Sequence, residues 1–591
     1  MVHINLYYSR PSRTTWRRWL LRLWLNGLER RLRGTDRGAL IASLLLTSFL
    51  GLTILYPIVL VVYEAFTFQG SFSLVNFQVF LGYGLLREAL LNSILVALAS
   101  VVGTTILGIP MAYLLTRYEF RGKSLFQILA SVPLIAPPFV GALGLQLIFG
   151  RGGIINNLLL YRLLHWVDQP PDWLYSLTGV VFIETIHLFP IVFLTVSAAL
   201  SRLDPSMEES AENLGAGRFR VFRTVIFPLV RPGYMAGAIL VFIWSLSDLG
   251  TPLMLGGEAS RLLAVQAFFR IQATYTDLQG YVISIILQAV SIVALLLVRR
   301  YVGLREYASM FRAGTLSRTR RMGGWTKILA YAFLITVLCI AFLPDVGIFL
   351  ASIVETWSIY VGPTGYTLAN YREVLLDSPL YVQNSLFYSS AAALFDVAFG
   401  LLIAYLVVRK SFVGKSLLEG LTILPFAVPG IVLGLGYLRA WQFTPLDPLR
   451  LSPVPALILS YTVRRLPYTV RATHASLQQM DVSLEEASRN LGASTTRTIW
   501  KITLPLVAPG LIAGGLMAFV NAMIEVSSTL IIVGQMRYFP LTRALYEYTQ
   551  NPANGLMVAS AAGVLLIAVT AACLAVASRI LGRSMGLVLR A

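Results

Sequence analysis

The sequence predicts an all-α polytopic membrane protein with twelve transmembrane helices in two parallel repeats of six. Three observations carry this expectation. The 591 residues are 57% hydrophobic and 13% charged, with a mean hydropathy of +0.72. A soluble globular chain carries about 25% charged residues. The apolar residues gather into runs long enough to cross a hydrocarbon core as helices, whereas a transmembrane β-barrel would show short alternating segments. The third observation is a repeat. The stretch EESAENLGAGRFRVFRTVIFPLVRPG from Glu208 returns as EEASRNLGASTTRTIWKITLPLVAPG from Glu485, displaced by 277 residues.

Residues 1–38 form a basic arm, with Arg10, Arg13, Arg17, Arg18, Arg22, Arg30, Arg31, Arg33 and Arg37 ahead of the first apolar run. Trp16, Leu20, Leu21, Trp24 and Leu28 lie among them, so the arm either rests along the inner membrane surface or is a disordered basic tail. The first apolar run is too long for a cleavable signal and has no clear small-residue cleavage site, so it reads as a signal-anchor helix. The first repeat, 39–298, has spans near 40–66, 88–116, 125–149, 176–200, 233–256 and 278–298. A basic linker covers 299–327. The second repeat, 328–579, has spans near 328–353, 381–408, 417–439, 453–478, 510–534 and 555–578, and 580–591 is a short tail.

The net charge of +19 follows a positive-inside bias and does not call for nucleic acid. Arg117, Arg121 and Lys123 follow span two, and Arg409, Lys410 and Lys415 follow span eight. Arginines also crowd the linker, while 67–87 and 354–380 are poor in Lys and Arg. Both termini are therefore expected to be cytoplasmic. Cys339 and Cys573 lie in apolar runs and carry no redox signal. The four histidines form no metal-ligand pattern, so no metal residues are assigned. Gly122-Lys123-Ser124 and Gly414-Lys415-Ser416 lack the preceding glycine and strand of a phosphate-binding loop. If ATP drives this protein, another chain binds it.

Further matches extend the repeat. Ala112-Tyr113-Leu114 matches Ala404-Tyr405-Leu406, Asn92-Ser93 matches Asn384-Ser385, and Pro133 with Pro137 matches Pro425 with Pro429, all displaced by 292. The displacement drops to 277 by Pro190 and Pro467, which places about fifteen extra residues of the first half in an external loop at 150–175. Both halves start on the same side, so the repeats are parallel rather than inverted. The proline groups, Pro138 included, are expected to break spans three and nine near their outer portions, as path linings, gate pivots or packing features.

In the repeated polar segment, Asp204-Pro205 and Asp481 read as helix starts. Glu208, Glu209, Glu485 and Glu486 fall in the first turns, where the helix dipole favours acids. Gly215 and Gly492 read as stops, and Pro228 and Pro505 mark the approach to the next span. One such segment is an ordinary amphipathic connector as readily as a functional one. Two aligned copies argue for two equivalent docking surfaces.

The segment resembles the EAA loop of binding-protein-dependent ABC transporter permeases. That pattern is Glu-Ala-Ala, three residues, Gly, nine residues, a branched apolar residue, one residue, and Leu-Pro. Glu209, Ser210, Ala211, Gly215, Val225, Phe227 and Pro228 match it in the first copy, with Ser210 and Phe227 departing. Glu486, Ala487, Ser488, Gly492, Ile502, Leu504 and Pro505 match it in the second, with Ser488 departing. The resemblance spans nearly the whole chain, which looks like the fused type, similar to the permeases of ferric-iron, thiamine and some phosphonate importers. It implies a non-enzymatic subunit whose two EAA segments dock two cytoplasmic ATPase subunits. Those subunits would hold ATP and Mg, and one external binding protein would deliver the solute. It also implies a bacterial inner membrane setting with lipid around the spans.

For a translocation path the sequence offers Asp248 and Glu525, matching acids in spans five and eleven, with His187, Glu184, Arg464 and Arg465 in spans four and ten. Intramembrane charges face the protein interior or a water-filled path. Paired acids suit a cation such as ferric ion. Equally, each acid pairs with an arginine or caps a broken helix. The substrate expectation is ferric iron, with thiamine, phosphonate, polyamine or another small solute as alternatives. An ion-gradient-driven secondary transporter lacks an inverted repeat here, and a membrane scaffold leaves the doubled segment unexplained.

Overall fold

The computed structural model describes residues 36–274, 276–303, 320–358, 362–551 and 553–581. Nearly all of the basic arm, most of the linker and the tail lie outside these residues. The first repeat contains α1 (Gly38–Ala65), α2 (Gly84–Arg117), α3 (Pro138–Phe149), α4 (Leu177–Ser201), α5 (Pro205–Asn213), α6 (Phe227–Ser247) and α7 (Leu278–Gly303). The second repeats this order as α8 (Gly324–Ser352), α9 (Pro379–Arg409), α10 (Gly430–Ala440), α11 (Val454–Gln479), α12 (Ser483–Asn490), α13 (Leu504–Met523) and α14 (Gly555–Leu581).

Helix α2 shows why these runs become helices with two unlike faces. Leu91, Leu95, Leu98, Val102 and Ile106, three or four residues apart, are all exposed. Small and polar residues, Ala89, Ser93, Ala97, Ser100 and Thr104, are buried on the other side. The apolar stripe suits lipid, and the small stripe lets α4 approach. The same pairing recurs between α9 and α11. The repeats also exchange their first helices: α8 packs on α3, and α1 packs on α10.

The α3–α8 crossing is very close. A Cβ on Gly144 would lie 2.0 Å from the Pro344 carbonyl oxygen, and one on Gly347 would lie 2.3 Å from that of Gly144. Both obstacles are backbone, so neither can rotate away. Gly144→Val is expected to lose most of its folded yield, beyond the ~1–3 kcal/mol of ordinary overpacking. Fluorescence-detected size-exclusion chromatography of the detergent extract reads this. A wild-type peak would contradict it.

Among the described residues, ten helices are long and apolar enough to cross a membrane. There are eleven if 415–427 and 430–440, bent by 110°, are one span. The expected count of twelve is thus not reached by length and composition. Helix α11 is the remainder: Arg464, Arg465 and Arg471 depress its hydropathy, while much of its surface is buried by neighbouring helices. The proline breaks separate 123–129 from 138–149 and 415–423 from 430–440, and the apolar helix of the first repeat runs from Pro138 to Leu163 rather than over 125–149. Spans five and eleven start earlier than expected, at Arg218 and Thr495, and break at Asp248 and Glu525. The extra loop of the first half holds a wide helical segment, Ile154–Leu163. It is stitched to the second repeat by the Trp357 indole N–H, which donates to the Gly152 carbonyl at 3.0 Å. Where the linker returns, Arg320–Arg321 pairs as a parallel strand with Tyr118–Glu119.

Candidate functional site

Helix α5 begins as expected. The Asp204 carboxylate accepts from the Ser206 N–H at 2.9 Å, with Pro205 in the first turn. Asp481 accepts from the Ser483 N–H at 2.9 Å from one residue farther out, since Val482 is the cap of α12. That N–H holds the Asp481 carboxyl below the usual carboxylate range. Both helices end identically. Gly215 has φ +83° and Gly492 φ +84°. Ala216 N–H donates to Ala211 O, and Ala493 N–H to Ser488 O, each at 3.1 Å, closing the left-handed glycine cap.

The glutamate pairs divide their roles. Glu208 and Glu485 are buried, and each forms an ion pair with the arginine ending the second helix of its repeat: Glu208 with Arg117, and Glu485 with Arg409 at 3.4 Å. Arg409 also donates to the carbonyls of Leu477 and Met480 at 3.0 and 2.9 Å, and Thr503 Oγ1 donates to Glu485 at 3.0 Å. One carboxylate thus joins α9, α11, α12 and the entry to α13. Glu209, Glu486 and Ala487 are exposed, and Ala211 is half-buried.

Sequence reasoning treated Arg117 and Arg409 only as loop charges. Their equivalence in the 292-residue register was the available signal. It also passed over Leu214 and Leu491, the residues before the glycines, each 89% exposed. Pro228 and Pro505 do not interrupt the chain. A wide turn precedes each one, in which Phe227 N–H reaches Phe222 O and Leu504 N–H reaches Ile499 O. Widening by one residue accommodates a ring that would clash in a regular α-helix. Each segment therefore passes continuously into the following span.

In the core, Glu525 is 4% exposed. It pairs with Arg464 at 2.6 Å and with Arg465, and it accepts from the Ser528 N–H and hydroxyl, both at 3.2 Å. Glu525 is thus both ion-paired and an acceptor for the first turn of the short helix Ser527–Ile532, from one residue outside its cap Val526. Asp248 occupies the matching break but has no ion pair among the described residues. One carboxylate oxygen accepts from Gly250 N–H at 3.0 Å, and the other has no hydrogen-bond partner among the described residues. Glu184 receives hydrogen bonds from Ser100 Oγ at 2.8 Å and from Ser245 Oγ. His187 Nδ1 donates to the Ile183 carbonyl at 2.9 Å. His187 and Arg464 are equivalent in the repeat. Each lies against the start of the preceding helix of its repeat, α3 or α10, where a Cβ on Gly141 or Gly430 would strike it. Asp248 and Glu525 share no hydrogen bond or ion pair. The second repeat neutralises its acid, and the first leaves its acid unpaired.

Residues 104–305 and 396–587 both match the model of the binding-protein-dependent transport system inner membrane component family. The ferric transport system permease protein FbpB of Actinobacillus pleuropneumoniae is 32% identical over 503 residues, 84% of this chain and 71% of that protein. The putative 2-aminoethylphosphonate transport system permease protein PhnU of Salmonella typhimurium is 30% identical over 224 residues, 37% of this chain and 78% of its own length. The molybdenum transport system permease protein ModB of Escherichia coli is 35% identical over 163 residues, 28% of this chain and 69% of its own. With the family matched once in each half, the chain belongs to the ABC importer permeases as a fused two-repeat translocation subunit of the inner membrane, not an enzyme.

Proposed function

We propose that this chain is a complete ferric-iron pathway of twelve spans, with α11 as the span that composition alone does not identify and both termini cytoplasmic. It serves two cytoplasmic ATPase subunits, which carry ATP and Mg, and one external binding protein. The observation that carries the reading is the matched pair α5 and α12. Each is held to its own repeat by a buried glutamate–arginine pair and presents an equally exposed leucine. A short rigid helix transmits displacement to the span it continues into.

Burying a leucine in a partner contributes about 1.5–3 kcal/mol. Leu214→Asp with Leu491→Asp is therefore expected to weaken ATPase docking by about two to four orders of magnitude at unchanged permease yield. Native mass spectrometry of the wild-type complex should give one permease, two ATPases. Retention of both ATPases by the double variant would remove the docking assignment, and two permeases per complex would remove the complete-pathway reading.

The ferric substrate rests on the likeness to the ferric permease and on the unpaired oxygen of Asp248. This reading puts one acid on the path rather than the two expected, because Glu525 is already ion-paired with Arg464 and Arg465. Asp248→Asn keeps the bond from the Gly250 N–H, since an asparagine oxygen accepts from such amides as well as aspartate does. It is expected to lower ferric uptake per assembled complex in proteoliposomes at wild-type yield. Unchanged uptake would exclude the path role. Phosphonate or molybdate uptake in place of iron would replace the substrate.

A further inference from the structure

Asp396 on α9 is 0% exposed, and neither of its carboxylate oxygens has a hydrogen-bond partner among the described residues. A buried carboxylate without a partner is strongly unfavourable, so such a residue either stays protonated or takes a counter-ion in the state where it ionises. The charged side chain near enough to act on it is Arg465 of α11.

The first repeat supplies an internal control. Contacts advance together along α2 and α4: Ser100 meets Glu184, and Cβ atoms placed on Gly103 and Gly108 would strike Thr185 and Val192. The two helices are therefore parallel. In the second repeat a Cβ on Gly400 would lie 2.6 Å from Thr469 Cγ2, which is the Gly108–Val192 contact in equivalent positions. One turn back, the same register sets Thr104 beside Leu188 in the first repeat and Asp396 beside Arg465 in the second. Thr104 satisfies itself, its hydroxyl donating to Val101 O at 3.0 Å, and Leu188 needs no partner. Where one repeat has a hydroxyl and an apolar residue, the other has an acid and a base.

That acid and base are not joined in this structure. Arg465 is engaged with Glu525 through Nη2, and its Nε has no partner. Glu525 meanwhile holds a second arginine, Arg464 at 2.6 Å, and two bonds from Ser528. The four charged groups sum to zero, yet they are distributed as one acid with two bases and one acid with none. Moving a single guanidinium changes this to two one-to-one pairs without stranding Glu525. Arg464 is held at Gly430, where a Cβ would lie 2.0 Å from its Nη1, so Arg465 is the freer of the two.

We propose that Asp396 is the alternative counter-ion of Arg465, and that Arg465 passes from Glu525 to Asp396 when the permease changes access. Asp396 is then a positioning residue for transport. Its pairing draws α11 toward α9 and releases one of the two arginines that hold the helix break at Glu525.

The test uses the full complex with its ATPase subunits in lipid nanodiscs, nucleotide-free and trapped with ATP and vanadate. In one of the two wild-type states, electron cryomicroscopy should find the Arg465 guanidinium about 3 Å from the Asp396 carboxylate. Arg465 on Glu525 in both states overturns the proposal, whatever the variants do. Asp396→Asn should lower the trapped fraction and the ATP turnover about tenfold, and Asp396→Glu should restore them. A merely structural role predicts the reverse order, because the longer glutamate disturbs packing more than the isosteric asparagine. Normal trapping of Asp396→Asn also overturns the proposal. No transported solute enters these readouts, so failure of the ferric assignment leaves the result intact.

Discussion

Glu525→Gln is expected to cost about 3–5 kcal/mol of stability, the usual consequence of removing one partner from a buried ion pair. The carboxylate faces two guanidiniums in a site where its own side chain is 4% exposed. Glutamine keeps the volume and can still accept from the Ser528 N–H, but it leaves the arginines without their neutralising charge. The matched substitution Asp248→Asn should be nearly silent, since no cation depends on Asp248 and the bond from the Gly250 N–H survives. Thermal unfolding of the two variants in the same detergent is the measurement. A drop of several degrees for Glu525→Gln beside no change for Asp248→Asn is expected. Equal stability of both variants would mean that the break at Glu525 is not held by its ion pairs.

The duplicated helices α5 and α12 carry the second large effect. Glu485→Gln should destabilise the chain by about 3–5 kcal/mol, because Arg409, with a side chain 8% exposed, loses its buried carboxylate partner. Glu208→Gln should do the same through Arg117. The neighbouring Glu486→Gln and Glu209→Gln change exposed side chains. They should preserve stability and alter only ATPase docking. Unfolding midpoints and ATPase retention, measured on all four variants, separate the two roles. Adjacent glutamates with indistinguishable effects on stability would overturn the division.

Much of this was legible in the chain. Hydropathy placed the spans because helices with lipid-facing stripes need long apolar runs. The duplicated segment located the short helices α5 and α12 because capping is local chemistry: Asp204 and Pro205 start α5, and Gly215 and Gly492 adopt the left-handed turn that ends α5 and α12. The same locality explains the misplaced starts of spans five and eleven. Pro228 and Pro505 read as boundaries by their usual effect on an α-helix, but a widened turn absorbed each one.

The partners of charged groups were not legible, because they lie far apart in sequence. Asp248 and Glu525 occupy matching positions, and nothing local separates them. They differ because α11 brings Arg464 and Arg465 to Glu525, whereas α4 brings His187 and Leu188 to the equivalent places. Likewise, Glu485 and Glu486 are equal as letters. Only the meeting of α9 with α12 buries one of them against Arg409 and leaves the other exposed. By itself the sequence determined the membrane class, the two repeats and the short helices of the duplicated segment, since hydropathy, periodicity and caps act within a few turns of chain. The tertiary structure alone decided which charges are neutralised and which are left unpaired, since an ion pair in a low-dielectric core depends on which helices pack side by side.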